Sequence, residues 1–278
     1  MTRNILIQPF LKWAGGKRQI IKEIEKYVPK YSTYYEPFIG GGAVLFHLQP
    51  KKAIINDSNP ELINAYIVVR DNVEELVNDL SKHENTQDYF YNIRGLDRKP
   101  DYDNLSDIKR ASRLIYLNKT CYNGLFRVNS QGEFNTPFGN YKNPNIVNEF
   151  VLRAVSNYLN NNDIRFLNGD FEDAVKNIRK GAFVYFDPPY MPLSDSSSFT
   201  GYTLDGFNQE DQIRLKKLCD KLNERGIKFL LSNSSAPFIL DLYKDYRIEF
   251  VNAKRSINSI AEDRGEIKEV LVRYNDKK

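Results

Sequence analysis

Cysteine and histidine are scarce in this chain, and their scarcity excludes several kinds of active site. The only cysteines, Cys121 and Cys219, lie far apart in no CxxC pattern, so neither a disulfide framework nor a zinc site is expected. The only histidines, His47 and His83, argue against a histidine-rich metal centre and a Ser-His hydrolase. We therefore expect a protein of the reducing cytoplasm that uses no metal.

Long apolar runs are also missing. No stretch approaches the roughly 18 consecutive apolar residues of a membrane span, and the amino terminus has no apolar signal core. The 278 residues are nevertheless 41% hydrophobic, which is enough to bury a sizeable core. We expect a soluble protein without a membrane partner, folded as one large domain or as a domain carrying a second lobe.

Positive charge is concentrated in one part of the sequence. The formal net charge is only +4, and residues 91–142 hold nine Lys or Arg against five acidic residues, so this interval accounts for the whole excess. A mild basic excess is compatible with a nucleic-acid partner. Such a partner is expected to contact this interval.

Strand-like and helix-like segments alternate along most of the chain. The helix-like segments cover residues 17–28, 60–82, 145–160 and 208–225, and they separate the strand-like runs "STYYEPF", "KAIIND", "IRFLNGD", "FVYFD" and "KFLLSN". This alternation predicts an α/β fold with a doubly wound parallel sheet. Near the end, "YRIEFVNA" and "IKEVLVRYN" predict an antiparallel hairpin that completes the sheet.

Residues 83–143 interrupt the alternation. They contain the helical stretch "LSDIKRASRLIYLNKT", followed by "LFRVNSQGEFNTPFG", two short runs around a Gly-containing turn that predict a β-hairpin. The sequence therefore predicts a sheet domain formed by residues 1–82 and 144–278, with residues 83–143 inserted as a mainly helical lobe.

One predicted strand, Phe183 to Asp187, ends in the unusual sequence "DPPY". Its two prolines remove two backbone donors and fix φ, so the chain must leave the sheet as a stiff segment whose carbonyls have fixed directions. Asp187 and Tyr190 are then candidate site residues. The alternative is a proline turn in which Asp187 forms the turn and Tyr190 covers the core.

Three other strands also end in residues suited to a ligand, since ligands of such sheets bind outside the carboxyl ends of the strands. Gly40 belongs to an incomplete G-x-G-x-x-G, which a tight turn explains equally well. Asp57 could accept hydrogen bonds from both ribose hydroxyls of a nucleoside, and Asp170 could accept from an adenine amino group while Phe171 packs on the ring. Helix capping is the alternative for both aspartates.

The amino-terminal stretch "FLKWAGGKRQ" places Trp13 and Lys17 beside two glycines. It is not a phosphate-binding P-loop, because the glycine spacing differs and Arg18 stands where Ser or Thr would coordinate magnesium. Simple core packing is the alternative role for Trp13.

Seven motifs together resemble one family. "KWAGGK", "EPFIGGG", "NDSN", "CYNGLFRVN", "GEFNTPFG", "GDF" and "DPPY" occur in the order found in DNA adenine-N6 methyltransferases of the Dam type, the D12 class, and the similarity runs from Pro9 to Tyr274. The resemblance implies a Rossmann-like methyltransferase sheet that binds S-adenosylmethionine. It implies cofactor contacts from Trp13, Lys17, Phe38, Gly40, Asp57, Asp170, Phe171 and Asp187.

The resemblance also gives "DPPY" a chemical role. An adenine amino group is a poor nucleophile, because its lone pair is delocalised into the ring, and it needs acceptors that favour a localised lone pair. Asp187 and a carbonyl at Asp187 or Pro188 would supply them, positioned by the prolines. Tyr190 would stack on an adenine extruded from the duplex. Direct in-line transfer of the methyl group would need no metal.

For the inserted lobe, the resemblance implies recognition of double-stranded DNA at GATC. Lysines and arginines would contact phosphates, and the hairpin would read bases. The implied DNA contacts are Lys12, Tyr122, Asn123, Leu125, Arg127 and Pro137, with hairpin packing as the alternative for Leu125 and Pro137. A restriction endonuclease for the same site is a possible companion. Two other functions stay open here: RNA base methylation, and a nonenzymatic, cofactor-binding role on DNA.

Overall fold

A computed structural model describes residues 3–13, 15–193, 206–254 and 266–275. Seven strands form one sheet in the order β3-β2-β1-β4-β5-β7-β6. The strands are β1 (Thr33–Glu36), β2 (Lys52–Asp57), β3 (Asp163–Asn168), β4 (Ala182–Phe186), β5 (Lys228–Ser234), β6 (Arg247–Lys254) and β7 (Glu266–Arg273). Neighbours among β1 to β5 are parallel, whereas β7 runs antiparallel to both β5 and β6. The predicted Rossmann-like sheet with an antiparallel carboxyl-terminal hairpin is confirmed.

Helices cover both faces of the sheet. In chain order they are α1 (Ile21–Lys26), α2 (Ala43–Leu48), α3 (Pro60–Asp71), α4 (Val73–Leu80), α5 (Gln87–Arg94), α6 (Asp107–Thr120), α7 (Glu149–Asn160), α8 (Phe171–Ala174), α9 (Gln209–Glu224) and α10 (Pro237–Leu242). The predicted helix 60–82 is two helices, because the chain leaves helical geometry at Asn72, where φ is −134°.

The central strand β4 is buried on both sides, which explains its uninterrupted apolar sequence. Successive strand side chains point to opposite faces. Phe183 and Tyr185 therefore join a hydrophobic cluster with α3, α6 and α7, and Val184 and Phe186 join a second cluster with α9 and α10. The sheet order changes direction between β1 and β4, and in doubly wound folds ligands bind beside such a switch point.

The inserted lobe packs closely on the sheet domain. Leu114 and Ile115 of α6 belong to the same hydrophobic cluster as the sheet residues Tyr34 and Ile55. Arg110 of α6 donates to the carboxylate of Glu61 on α3, from both its Nε and its Nη2. The two parts therefore share a continuous core, and the division at residues 83 and 143 stays a prediction.

The predicted hairpin of the lobe has little regular pairing. The backbone N–H of Asn129 donates to the carbonyl of Glu133, and that of Asn135 donates to the carbonyl of Arg127, each at 2.9 Å. The β-bridges in this interval are isolated ones, between Val128 and Phe134 and between Cys121 and Phe138. Residues 125–138 thus fold back as an antiparallel turn, with bridges in place of two extended strands.

Two features are absent from the described residues. No helix among them is long and apolar enough to cross a membrane. Across those same ranges, no group of three or more His, Cys, Asp or Glu side chains is arranged to hold a metal ion.

Candidate active site

The loops that follow β1, β2 and β3 meet at one edge of the sheet. Asp57, the last residue of β2, accepts a hydrogen bond from the backbone N–H of Gly40 at 3.0 Å. The buried amide of Asn56 donates to the carbonyls of Pro37 and Gly169, each at 3.0 Å. These hydrogen bonds connect the residues at the ends of the three strands into one line, from Gly40 through Asp57 and Asn56 to Gly169, which we call the strand-end row.

Asp187, directly after β4, pairs with the lysine of the amino-terminal motif. The Nζ atom of Lys17 lies 2.9 Å from Oδ1 of Asp187, and the side chain of Lys17 is only 3% exposed. Burial raises the pKa of Asp187 to about 6, because Lys17 opposes this rise only in part and Glu269 adds to it. At neutral pH the carboxylate is therefore mainly ionised, and with 21% of its side chain exposed it can meet a substrate.

Tyr190 is held at both its hydroxyl and its ring. The hydroxyl donates to Oε2 of Glu269 on β7 at 2.8 Å. The Nζ atom of Lys17 lies 4.6 Å from the ring centroid, an attractive cation–π contact. Lys17, Asp187, Tyr190 and Glu269 thus form one polar group beside the switch point of the sheet.

The glycine-rich loop needs its glycines because aromatic side chains lie directly against it. Gly40 and Gly42 have φ values of 48° and 70°, which glycine adopts readily. A Cβ atom on Gly40 would lie 2.8 Å from the ring of Trp13, and one on Gly42 would lie 2.6 Å from the hydroxyl of Tyr66. The loop is therefore held against the amino-terminal motif and α3.

Trp13 connects two parts of the site. One side of it packs on the glycine loop, and its ring stacks on Phe126 of the lobe with centroids 5.0 Å apart and planes inclined by 18°. Trp13 therefore has the packing role that was the alternative in the sequence analysis. It fixes the lobe against the strand-end row.

Asp57 does not cap α3. The N-cap is Asn59, whose side chain accepts from the N–H of Leu62 at 3.1 Å. Asp57 instead accepts from the backbone N–H groups of Gly40 and Asn59, each at 3.0 Å, and burial raises its pKa against the effect of these bonds. The carboxylate is oriented by the glycine loop and points into the strand-end row.

Asp170 caps a helix, which was the alternative to the predicted contact with an adenine amino group. It accepts from the N–H of Glu172 as the N-cap of α8, and its Oδ2 lies 2.9 Å from a guanidinium nitrogen of Arg214. The same guanidinium lies 4.9 Å from the ring centroid of Phe171. The ring of Phe38 stacks on Phe171 at 5.3 Å, so both phenylalanines lie at this end of the row.

Asn118 brings the amino-terminal motif and the predicted DNA-contact residues together. It is buried, accepts from the backbone N–H of Lys12 at 2.8 Å, and donates to the carbonyls of Lys12 at 2.7 Å and Gly124 at 3.1 Å. Lys12 therefore lies beside the turn that carries Tyr122 and Asn123. Tyr122 is 53% exposed, and Asn123 has a positive φ of 57°.

The remaining predicted DNA contacts lie on the turn of residues 125–138. Arg127 donates from Nε to Oδ1 of Asn135 at 2.6 Å, which orients its guanidinium. Pro137 is exposed, and its carbonyl accepts from the N–H of Tyr122 at 2.9 Å. Leu125 is half-buried, and its carbonyl accepts from the hydroxyl of Thr136 at 2.7 Å.

Part of the basic excess in residues 91–142 stabilises the lobe itself. Arg113 pairs with Asp97 at 2.8 Å and donates to the carbonyls of Ile93 and Arg94. Other arginines of the interval also bind protein groups. Arg94 donates to the carbonyl of Thr136. Arg98 forms ion pairs with Asp97 and Glu133, and Arg110 forms one with Glu61. Together with Arg127, which binds Asn135, at least five of the nine basic residues therefore already have partners within the protein.

Several polar residues of the site were missed by the sequence reasoning: Glu36, Asn56, Asn118, Gln212, Asn233 and Glu269. Glu36 is buried at the end of β1, accepts from the hydroxyl of Tyr34 at 2.8 Å, and burial raises its pKa well above the usual value. Asn56 and Asn233 interrupt apolar strands, and a polar residue inside a buried strand is the signal that could have identified them.

Comparison with known proteins identifies the family of the chain. The sequence model of the family described as D12 class N6 adenine-specific DNA methyltransferase matches residues 13–257. The type II methyltransferase M1.LlaDCHI of Lactococcus lactis subsp. cremoris is 48% identical over 97% of this chain and 96% of its own length, and the type II methyltransferase M.MjaIII of Methanocaldococcus jannaschii is 45% identical over 96% and 98%. The DNA adenine methylase of Escherichia coli K12 is 32% identical over 95% and 94%. With a family match across most of its length and relatives of this similarity, the chain belongs to the D12 class of N6 adenine-specific DNA methyltransferases.

Proposed function

We propose that the protein transfers the methyl group of S-adenosylmethionine to N6 of an adenine flipped out of duplex DNA, within the sequence GATC. The observation that carries the proposal is the placement of Asp187, Lys17 and Tyr190 together beside the switch point between β1 and β4. Membership of a DNA methyltransferase family argues against the RNA-modifying and nonenzymatic alternatives.

The residues at the strand ends fit the proposed cofactor. S-adenosylmethionine supplies, when bound, an electrophilic sulfonium methyl group. Asp57 presents a carboxylate, oriented by the N–H of Gly40, for ribose hydroxyls, and the half-buried ring of Phe38, stacked on the buried ring of Phe171, is the aromatic group nearest to the proposed adenine position. Lys17 is the cation suited to the methionine carboxylate.

The chemistry assigned to the DPPY segment is acceptance of hydrogen bonds from the adenine amino group and, as the methyl group is transferred, acceptance of one amine proton by the carboxylate of Asp187. The ionised carboxylate of Asp187 accepts from the N6 amino group, and a carbonyl at Asp187 or Pro188 accepts from its second hydrogen. Both favour a localised lone pair on nitrogen. Tyr190, fixed by Glu269 and Lys17, offers its ring to the flipped base.

The proposal as a whole is tested by single-molecule methylation sequencing of DNA from cells that express the protein. We expect N6-methyladenine at GATC in both strands, absent when Asp187→Ala is expressed instead. Methylation assays on duplex DNA and structured RNA complete the test, since transfer to RNA alone would support the alternative substrate. Because two relatives are named type II methyltransferases, we include a companion restriction endonuclease for the same site in the proposal.

Asp57→Ala is expected to weaken binding of S-adenosylmethionine by about ten- to a hundredfold, because a hydrogen bond to a charged group contributes roughly 1.5–3 kcal/mol. Isothermal titration calorimetry measures this directly. Asn59→Ala is the control, since it removes the N-cap of α3 and should lower the free energy of unfolding by about 1 kcal/mol without changing the affinity. Normal affinity in folded Asp57→Ala protein would contradict the ribose contact.

Arg127→Ala is expected to relax recognition at one base pair only. Guanine presents O6 and N7 in the major groove, a pair suited to arginine, and we assign Arg127 to the guanine opposite the terminal cytosine and Lys12 to the guanine before the adenine. Leu125 and Pro137 then contact the thymine methyl and the last base pair. The loss in discrimination should be about 1–3 kcal/mol.

The assay for Arg127 compares kcat/KM on GATC, GATA, GATG and GATT duplexes. A phosphate-binding side chain would instead weaken all four alike and lower the salt slope by about one unit. Lys142→Ala, on an exposed lysine of the lobe, is the control for this second behaviour. Uniform loss in Arg127→Ala would exclude base reading by Arg127.

A further inference from the structure

The DPPY segment lacks the backbone hydrogen bonds that hold an ordinary strand end. Pro188 and Pro189 have no N–H groups, so hydrogen bonds to the backbone here depend on the carbonyls of the segment and on the N–H groups of Tyr190 and Met191. A misplaced acceptor at this point would lose contact with the reacting amine. Something outside the segment must therefore hold it.

Two buried side-chain amides supply that support. Oδ1 of Asn233, near the end of β5, accepts from the N–H of Met191 at 3.1 Å. Its Nδ2 donates to Oε1 of Gln212 on α9 at 3.0 Å, and Nε2 of Gln212 donates to the carbonyl of Pro189 at 3.0 Å. Both amides are fully buried, so an unpaired group here would be costly.

The direction of each hydrogen bond is fixed by chemistry. The carbonyl of Pro189 can only accept and the N–H of Met191 can only donate, so the chain from Pro189 through Gln212 and Asn233 to Met191 has one consistent arrangement. The hydroxyl of Ser234 adds a bond to the carbonyl of Met191 at 2.5 Å. On the other side of the segment, Phe186 pairs with Leu231 in the parallel sheet. Asp187 and Pro188 are therefore held between two anchored ends.

We propose that Gln212 and Asn233 are positioning residues for methyl transfer, which set the location of the Asp187 carboxylate, the Pro188 carbonyl and the Tyr190 ring. This inference rests on the catalytic role proposed above for Asp187. Neither amide contacts that carboxylate in the hydrogen bonds of the described residues. Their effect is transmitted through the backbone of the proline segment.

The test begins with Gln212→Met, which keeps an unbranched side chain of similar length but removes both hydrogen bonds. At saturating cofactor and duplex, kcat should fall by about 10²-fold, the loss associated with displacement of a reacting group by roughly 1 Å. The affinity for S-adenosylmethionine should change much less than kcat, because Gln212 contacts the DPPY segment, which supplies only Asp187 to the proposed cofactor site, and not the strand-end row. Calorimetry and steady-state kinetics separate the two quantities.

Gln212→Glu serves as the conservative variant. A buried carboxyl group stays protonated well above its usual pKa, so its hydroxyl can donate to Pro189 while its carbonyl accepts from Asn233. We expect this variant to recover much of the kcat lost in Gln212→Met. Its kcat relative to wild type should decline as the pH rises and the new carboxyl ionises.

Tyr158→Phe is the matched control. The buried hydroxyl of Tyr158 also donates to a proline carbonyl, that of Pro50 at 2.8 Å, but Pro50 precedes β2 and so lies at the opposite edge of the sheet. Removing this bond should lower the free energy of unfolding and leave kcat at the wild-type value. A purely structural role for Gln212 would give the same result in Gln212→Met.

The results of these experiments distinguish the catalytic proposal for Asp187 from the positioning proposal for Gln212 and Asn233. Retained turnover in Asp187→Ala would overturn the catalytic proposal itself. Loss of turnover in Asp187→Ala with wild-type kcat in Gln212→Met would overturn only the positioning role. If Gln212→Met does not fold, Gln212→Leu, a shorter side chain without the amide, takes its place, and wild-type kcat in a folded Gln212→Leu protein overturns the positioning role.

Discussion

Asp187→Ala is expected to reduce kcat for methyl transfer by about 10²–10⁴-fold, the range for a positioned proton acceptor, while the protein stays folded and binds DNA. In the proposed mechanism the carboxylate is the ionised acceptor of the DPPY segment, and it lies 2.9 Å from the Nζ atom of Lys17. Without it, the amine keeps its lone pair in the ring. Single-turnover kinetics with radiolabelled cofactor measure the loss directly.

The Asp187 experiment needs two further proteins. Asp187→Asn retains the shape and one oxygen acceptor, so its turnover should fall between that of wild type and that of Asp187→Ala. Asp173→Ala removes an exposed acid of α8 and should leave kcat unchanged. DNA affinity, followed by fluorescence anisotropy, should be similar in all three. Near-normal turnover in Asp187→Ala would show that another group accepts from the adenine amine.

The sheet was predictable because its strands are either fully buried or sharply bounded. The run "KAIIND" matches β2 residue for residue, and the predicted strand Phe183 to Asp187 differs from β4 by one residue at each end. The break at Asn72 was not predictable, since the apolar pattern of residues 60–82 continues through it. The direction of α4 is determined by tertiary packing, because Leu76 and Leu80 are buried against α6.

The short pairing in the lobe has a similar physical reason. Phe126 and Phe134 turn toward the core, where their ring centroids lie 5.7 Å apart and Phe126 stacks on Trp13. Pro137 has no N–H for a ladder. The Gly-containing turn was therefore visible in the sequence, but the degree of strand pairing depended on contacts with a segment more than a hundred residues away.

The positions of the candidate residues were predictable where these residues lie at strand ends. Gly40, Asp57, Asp170 and Asp187 lie at or just after the ends of four parallel strands, whose carboxyl ends must share one edge of the sheet. Supporting side chains from distant elements had no such signal. Glu269 reaches Tyr190 only because β7 inserts between β5 and β6, an order that hydrophobic patterns do not specify.

Lys17→Met is expected to move the acid limb of the pH profile of kcat/KM to higher pH. In the wild-type protein, burial and the nearby Glu269 raise the pKa of Asp187, and Lys17 opposes them, giving a value of about 6. In the proposed mechanism Asp187 accepts only when ionised, so we expect activity above this pKa and its loss as the pH falls through it. Without Lys17 the opposing effect disappears, and the pKa of Asp187 must rise further.

The groups that face Asp187 make the direction of this shift unambiguous. Glu36 and Glu269 are acidic, and the hydroxyl of Tyr190 binds Glu269, so Lys17 is the cation that favours the ionised carboxylate. Below the shifted pKa, kcat/KM should fall about tenfold for each pH unit. At high pH a smaller defect should remain, because Lys17 is also proposed to bind the cofactor carboxylate. Arg18→Met, at the exposed neighbouring position, should leave the acid limb in place. An acid limb that does not move in Lys17→Met would mean that ionisation of Asp187 does not limit methyl transfer.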